Sequence, residues 1–198
     1  MSTEPGVPAA DRLIYSYRPS LVGAPWEFRL GAHGIDWSVG AKSGHLPYGG
    51  VRRVRMSYRP GNVQLHRFVT ELWGEGGPRL VLASTSWKSM VEHERLDRSY
   101  AAFVAELHRR LAQAAPAARY QQGTNALRYW PGVGVFVAVS LGLAALIARG
   151  VQARAVGGTA LIAAFFALFL WQGGDYFRRN RPRLYRPDRL PSEVMPRA

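Results

Sequence analysis

Residues 129–148 read YWPGVGVFVAVSLGLAALIA, and residues 155–174 read AVGGTALIAAFFALFLWQGG. Each run contains twenty residues and no charged side chain. An α-helix rises about 1.5 Å per residue, so each run would reach roughly 30 Å, the thickness of the hydrocarbon layer of a bilayer. Because only a short basic segment separates the runs, we predict two antiparallel transmembrane helices, over 129–149 and 155–175, joined by an external hairpin loop at 150–154.

A pair of buried helices in a soluble all-α core is the alternative explanation of the two runs. Helices of soluble proteins usually carry a polar stripe, whereas only Ser140, Thr159 and Gln172 are strongly polar here, apart from the aromatic residues. Amphipathic aromatic rings favour the headgroup level of a membrane. Such rings stand at the ends of the runs, and we predict that they are membrane-interface anchors: Tyr129, Trp130, Trp171 and Tyr176.

Basic residues are distributed unevenly around the two runs. The connection carries two arginines, whereas seven follow Asp175: Arg178, Arg179, Arg181, Arg183, Arg186, Arg189 and Arg197. Lys and Arg close to membrane helices stay on the cytoplasmic side, so we predict a multi-pass protein with both termini in the cytoplasm. Arg outnumbers Lys by 24 to 2, which is typical of high-GC bacterial coding, and we therefore expect a bacterial inner membrane.

The whole chain of 198 residues has a formal net charge of +13 and contains no cysteine. The lack of cysteine excludes disulfides, thiolate metal sites and a cysteine nucleophile. A basic soluble protein would suggest nucleic acid. Beside two membrane-spanning runs the simpler partner is the anionic lipid of the inner leaflet, which attracts each nearby basic residue by about 1 kcal/mol. We therefore expect a lipid bilayer and no nucleic acid as partner.

Residues 13–115 have the pattern of a domain made of strands followed by one helix. Trp26–Leu30 and Ile35–Val39 alternate between apolar and polar residues, and the glycine-containing turn between them predicts a hairpin. More strand patterns follow, separated by turns rich in Gly and Pro. Apolar residues then recur at helical spacing: Leu96, Tyr100, Phe103, Leu107 and Leu111. This order predicts an α+β fold, a small antiparallel sheet or barrel with a C-terminal amphipathic helix.

Two local signals define the predicted helix further. Ser89 and Glu92 have the spacing of a capping box, which predicts a helix that begins by residue 90. Acidic and basic residues stand four positions apart on the outer side of the helix and predict two ion pairs, Glu94 with Arg98 and Glu106 with Arg110.

A turn with the sequence His33-Gly34-Ile35 precedes the segment Leu46-Pro47-Tyr48-Gly49-Gly50-Val51-Arg52-Arg53-Val54. The Gly-Ile turn, the apolar-Pro-Tyr-x-x-Val-x-x-Val pattern and the strands and helix around them resemble the bacterial pleckstrin-homology-like (PH-like) domains of small membrane proteins. The likeness covers residues 13–113 and implies a PH-like fold with a closing C-terminal helix. Domains of that family are commonly paired with transmembrane hairpins, and the motifs imply no particular activity.

The remaining segments are an N-terminus, a linker and a tail. We expect disorder over 1–12 and a linker to the membrane over 116–128. The tail, 176–198, is basic and rich in proline, and its four prolines prevent a continuous helix. Two interpretations remain open: a disordered basic anchor, or a segment that docks on the soluble domain through Leu184, Tyr185, Leu190, Val194 and Met195.

One strand carries a candidate binding site. Val54, Met56 and Tyr58 share one face of the predicted strand, and Arg53, Arg55 and Arg59 lie on the other. We expect Arg52 and Arg67 near this arginine-bearing face. Guanidinium groups match the oxygens of phosphates and carboxylates. The face could therefore bind anionic lipid or an acidic partner protein, and the alternative is an ordinary solvated strand face.

The sequence contains no recognisable catalytic or cofactor motif. The five histidines lack metal-ligand spacing, and Gly74–Gly77 lacks the Lys-Ser/Thr of a phosphate-binding loop. No Gly-x-Ser-x-Gly motif is present, and neither apolar run holds an ionisable residue that would indicate transport. We therefore predict no catalytic residue, metal or cofactor. The expected function is a non-enzymatic scaffold, and the alternative is a small accessory subunit or assembly factor of a membrane complex.

Small residues recur every four positions in both runs, at Gly134, Ala138 and Gly142 and again at Ala160 and Ala164. Small side chains allow the backbones of membrane helices to approach closely. We predict that they pack the two helices on each other. The functional alternative is that they form the interface of a homo-oligomer or of a complex with another membrane protein.

Overall fold

The computed structural model describes residues 13–60, 66–88, 93–115 and 117–196. Within these residues the fold is α+β, as predicted, with antiparallel sheets and three α-helices, of which the two C-terminal ones are long and apolar. The chain forms two compact units. The segment 122–183 makes a helical hairpin, and the residues on both sides of it together make a second unit, here called the β unit. The predicted disordered segment 1–12 lies outside the described residues.

The first sheet of the β unit is an antiparallel meander. Its register aligns Phe28 with Trp37 and Ile35 with Leu46. Phe28, Leu30 and Ile35 are buried, in agreement with the alternating pattern of these strands. The edge position of the first strand suits Pro19, which follows it and could not donate to a neighbour. The strands, in spatial order, are β1 (Ile14–Tyr17), β2 (Trp26–Leu30), β3 (Gly34–Val39) and β4 (Lys42–Pro47).

The second sheet has five strands and includes two that lie far along the chain. Its long central strands are β5 (Val51–Pro60) and β6 (His66–Gly74), followed by β7 (Leu80–Ala83) at one edge. A short two-stranded sheet, β8 (Thr85–Trp87) and β9 (His93–Arg95), precedes the helix. On the other side of β5 lie β10 (Arg119–Gln122) and β11 (Arg183–Leu184).

Two tyrosine hydroxyls bond the outer edge of β7. Ser84 N bonds Phe68 O, so the even-numbered residues of this segment bond β6 and the carbonyls of the odd-numbered ones point away from it. The hydroxyl of Tyr15 donates to Ala83 O at 2.5 Å, and that of Tyr17 donates to Val81 O at 2.6 Å. Burial raises the pKa of both phenols, to about 12 for Tyr17, so they remain donors.

The helix α1 spans Asp97–Ala114 and buries the predicted apolar stripe. Tyr100, Phe103, Leu107 and Leu111 are at most 1% exposed, and the Tyr100 hydroxyl lies 2.6 Å from Thr70 Oγ1 of β6. The predicted pair Glu106–Arg110 forms at 2.6 Å.

The prediction that the helix begins by residue 90 is wrong, because His93–Arg95 pair with β8 as strand β9. Glu94 therefore lies in a strand, and the predicted helical pair with Arg98 does not form. The capping-box residues Ser89 and Glu92 lie outside the described residues.

Part of the segment predicted as a linker is a strand. Within 116–128, β10 buries Tyr120 and Gln122 and joins the second sheet beside β5. The strand β11, which begins about sixty residues later in the chain, lies next to β10. The local sequence cannot indicate such pairing, because the strand is short and its neighbours are distant.

The tail adopts the docked arrangement of the two that the sequence left open. Val194 is 0% exposed and belongs to the core of the β unit, and Tyr185, Leu190 and Met195 pack against that core. The short 3-10 helix Ser192–Val194 lies beside β5. Leu184 differs from the expectation because its side chain is exposed. Arg197 lies outside the described residues.

His108 of α1 connects the helix with the tail. Its Nδ1–H donates to Val104 O at 2.7 Å, so Nε2 is the acceptor for the Tyr185 hydroxyl, also at 2.7 Å. The ring of Tyr185 contacts those of His108 and Tyr120, and Tyr185 N bonds Tyr120 O. Burial lowers the pKa of His108 to about 4, so the imidazole is neutral at pH 7.

The hairpin consists of α2 (Ala126–Gln152) and α3 (Val156–Arg179). Both helices extend beyond the predicted bounds. The Asn125 side chain accepts from Leu127 N and starts α2 three residues early, and Asp175 pairs with Arg178 and Arg179, which lie in the last turn of α3. The loop is therefore shorter than 150–154. Within it, the backbone of Arg154 is in the left-handed region, with φ 56°.

Replacement of Val194 by Asp tests the contribution of the tail to the core. The change places an unpaired carboxylate in a closed apolar site, and we expect it to lower the free energy of unfolding by about 3 kcal/mol. Ser192→Asp adds the same charge at an exposed tail position and serves as control. Unfolding of the detergent-solubilised chain, followed by tryptophan fluorescence, measures both. Equal midpoints for the two variants would contradict a structural role for the tail.

The buried His108 predicts a specific dependence of stability on pH. Its folded pKa of about 4 lies below its ordinary value of 6.5, so the unfolded chain binds the proton more readily. The resulting stability is complete above pH 6.5 and is lost as the pH falls towards 4, by about 3 kcal/mol in total. His108→Gln should flatten the stability profile in this interval, measured by denaturant unfolding at several pH values. A variant that follows the wild-type profile would refute the assignment.

Candidate functional site

The arginines of β5 lie on the face of the second sheet opposite to Val54, Met56 and Tyr58. Val54, Met56 and Tyr58 are at most 4% exposed and point to the core. Since side chains alternate along a strand, Arg53, Arg55 and Arg59 lie on the other face. Arg53 and Arg55 are half-buried and Arg59 is exposed.

The register of β5 with β6 places Arg67 beside the arginines of β5, as the sequence suggested, and adds Glu71 and Trp73, which the sequence did not connect with them. Arg53 lies opposite Trp73, Arg55 opposite Glu71 and Arg59 opposite Arg67. Arg79, just before β7, reaches Glu71, and Gln121 of β10 reaches Arg55. We call this set the arginine face: Arg53, Arg55, Arg59, Arg67, Arg79, Glu71, Trp73 and Gln121.

Arg52 does not belong to the arginine face. The β5–β6 register shifts between Val51 and Arg53, and such a bulge re-aims the side chain of the extra residue. The Arg52 guanidinium pairs instead with Glu75 at the end of β6, with Nε 2.8 Å from the carboxylate.

Glu71 is the single carboxylate of the arginine face. Its side chain is 4% exposed and pairs with Arg59 at 3.2 Å and with Arg79 at 3.4 Å. Both arginines are more than half exposed, so their outer nitrogens remain open to solvent. One buried carboxylate therefore holds two cations in place and compensates only part of the charge of five guanidinium groups.

The other end of the face is organised by an indole ring. The Arg53 guanidinium carbon lies 4.0 Å from the centre of the Trp73 ring, and that of Arg55 lies 5.4 Å from it. These are cation–π distances. Arg55 Nη2 also donates to Gln121 Oε1 at 3.2 Å. Within the described residues neither Arg53 nor Arg55 forms an ion pair.

Burial and neighbouring cations lower the pKa values of two arginines of the face. Burial, and then the charge of Arg53, lowers the pKa of Arg55, while Glu71 acts in the opposite direction. Burial also lowers the pKa of Arg67. The Nε atoms of Arg53 and Arg67 are buried and have no acceptor among the described residues. The chemistry of the guanidinium groups of the face suits anions.

The outer face of the first sheet carries a second group of charged residues. A shallow depression of about 500 Å³ lies over this sheet. Its charges are paired with one another: Arg29 with Glu27, and His45 with Asp36, each at 2.6 Å. Among the described residues no group of three or more potential ligands could hold a metal ion. This depression therefore offers less unpaired charge than the arginine face.

The small residues of the two apolar runs do not pack the hairpin helices on each other. A side chain at Gly134 or Gly142 would meet no atom within 4 Å, and Ala138, Ala160 and Ala164 are exposed. This prediction is wrong because four-residue spacing occurs on several faces of each helix, and the packed face is a different one.

The packed face of the hairpin combines glycines with large rings. A side chain at Gly173 would clash with Phe136, and one at Gly150 would clash with Thr159. The ring of Phe136 lies 4.9 Å from that of Phe169 and 5.2 Å from that of Phe177.

The four predicted interface anchors have different environments. Trp130 and Trp171 are exposed, as an anchor in contact with lipid headgroups requires. Tyr129 is buried in the hairpin, where its hydroxyl donates to Phe177 O at 3.1 Å, and Tyr176 is half-buried.

Comparison of the chain with protein-family models, with curated proteins and with solved structures finds no match.

Proposed function

We propose that this chain is a non-enzymatic protein of the bacterial inner membrane, in which the arginine face binds anionic groups of lipids or of a partner protein. The observation that carries the proposal is the composition of that face, five guanidinium groups with one carboxylate on a single sheet surface. Such groups form charge-assisted, often bidentate hydrogen bonds with phosphates and carboxylates.

The membrane part of the proposal is supported by the hairpin. Its helices of 27 and 24 residues are long and apolar enough to cross a bilayer, and none of their apolar windows is buried inside the structure. The core helix of a soluble protein would be mostly buried. The chain leaves the β unit before the hairpin and returns to it afterwards, which supports a location of the β unit and the tail on one side of the membrane. The excess of basic residues near the helix ends favours the cytoplasmic side.

A PH-like identity of the β unit is part of this proposal. The order is a meander of four strands, three further antiparallel strands, the short two-stranded sheet of β8 and β9, and then α1; apart from β8 and β9, it is the order expected of such a domain. In this proposal the domain acts as a scaffold beside the membrane, and the bilayer with its anionic inner leaflet is both the location and a source of ligands.

Charge reversal tests the proposed site. The full chain in nanodiscs of neutral phosphatidylcholine should co-sediment with vesicles that contain phosphatidylglycerol, less so as salt increases. The triple variant R53E/R55E/R59E should lose at least about tenfold in affinity, because each basic residue near an anionic surface contributes about 1 kcal/mol.

The matched control for this test is R18E/R98E/R186E, which makes the same change in net charge at exposed positions of the β unit. If both variants lose equal affinity, only net charge matters, and the arginine face is not the site. The partner-protein form of the proposal is tested with the same variants by affinity purification from native membranes and mass spectrometry.

A second candidate function is that of a small subunit or assembly factor held in a larger complex by the hairpin. It is favoured by the open surface at Gly134 and Gly142, where small residues are not used for packing within the hairpin. This surface would suit either a second copy of the chain or another membrane protein.

Bulky substitutions test this second candidate. Gly134→Leu, Ala138→Leu and Gly142→Leu together should release a stoichiometric partner or a second copy, because the helix backbones could no longer approach closely. Cross-linking and co-purification in mild detergent measure the loss. Val135→Leu and Val139→Leu, at exposed positions of the same helix, are the control. A complex that survives the triple substitution would exclude this surface as the interface.

A further inference from the structure

One end of the arginine face differs from the rest because its arginines form no ion pair among the described residues. Glu71 is engaged by Arg59 and Arg79, whereas Arg53 and Arg55 converge on the single ring of Trp73, at 4.0 and 5.4 Å. We call Arg53, Arg55, Trp73 and Gln121 the Trp73 site. Two guanidinium groups are thus held around one ring without a carboxylate of their own among the described residues.

The groups of the Trp73 site are fixed in orientation. Stacking on the indole restrains the plane of the Arg53 guanidinium, and the bond to Gln121 Oε1 at 3.2 Å restrains Arg55. The buried Nε of Arg53 has no acceptor among the described residues. A buried donor without an acceptor is costly. The lowered pKa of Arg55, caused by burial and then by Arg53, agrees with a site that gains from an added negative charge.

The chemistry of two guanidinium groups held beside one ring selects among anions. A carboxylate has two oxygens and is satisfied by one guanidinium fork. A phosphate monoester has three terminal oxygens and a charge of about −1.5 to −2 at pH 7, which suits two guanidinium groups. A phosphodiester carries one negative charge and offers fewer free oxygens.

We propose that the Trp73 site binds a phosphate monoester group, carried by a lipid headgroup or present as free phosphate. The proposal rests on the proposed function of the arginine face and specifies its ligand. A general preference for anionic surfaces would not require a ligand of this particular class.

Water-soluble ligands distinguish a specific phosphate-monoester site from a general affinity of the arginine face for anions. The full chain in phosphatidylcholine nanodiscs is titrated calorimetrically with dihexanoyl phosphatidic acid, with dihexanoyl phosphatidylglycerol and with inorganic phosphate. We expect phosphatidic acid, a monoester, to bind about tenfold more tightly than the diester. The preference should decrease below about pH 6, where the monoester loses its second charge.

Conservative variants assign the preference to the site. R53K/R55K keeps the charge and removes both forks, so the preference for the monoester should disappear while weak binding of the diester remains. R59K/R79K makes the same chemical change at the Glu71 end and should keep the preference. Thermal unfolding of both variants confirms that the β unit is intact.

The outcomes identify the source of the phosphate. They also separate a failure of the phosphate site from a failure of the proposed function. Inorganic phosphate that binds as tightly as phosphatidic acid identifies the free group as a sufficient ligand, and binding of phosphatidic acid alone identifies the lipid. Equal affinity for monoester and diester, or a preference that survives in R53K/R55K, would overturn the phosphate site. The vesicle experiment with the charge-reversal variant would still decide the proposed function independently.

Discussion

The alternation of side chains along β5 is the constraint on which both the core and the candidate site depend. Val54, Met56 and Tyr58 are buried on one side, and burial of each such side chain stabilises the fold by about 1.5–3 kcal/mol. A shift of one residue would exchange the two faces of the strand. It would place guanidinium groups in the core, so the positions of Arg53, Arg55 and Arg59 are determined by the burial of their neighbours.

The sequence was informative where the signal is local. The two apolar runs predicted two long helices, the stripe from Tyr100 to Leu111 predicted α1, and the alternation in β2, β3 and β5 predicted an antiparallel α+β fold. Helix ends were less accurate, because Asn125 and Asp175 extend the hairpin helices through contacts with individual backbone and side-chain atoms. The packed face of the hairpin depends on single glycines opposite Phe136 and Thr159, which a search for repeated small residues does not detect.

The candidate site was only partly predictable, because half of it comes from other strands. The three arginines of β5 are visible in the sequence as one face. Glu71 and Trp73 join them only through the register of β6, and Gln121 joins through a strand that the sequence assigned to a linker. A period-two pattern shows which face a residue occupies but not which residues lie opposite. The sequence left docking of the tail open for the same reason, since Tyr185 contacts Tyr120 and His108, which lie 65 and 77 positions away in the chain.

The two tyrosine hydroxyls on β7 have a consequence for the proposed location of the chain, in which copies would be concentrated in a membrane plane. An unpaired strand edge is a template on which another chain can form a new ladder, and natural sheets cover or interrupt such edges. In the β unit, Tyr15 and Tyr17 occupy the carbonyls of Ala83 and Val81 that an incoming strand would need. In a membrane, a neighbouring copy would therefore meet a capped edge. The two hydroxyls protect this edge against strand pairing and aggregation, although no strand covers it.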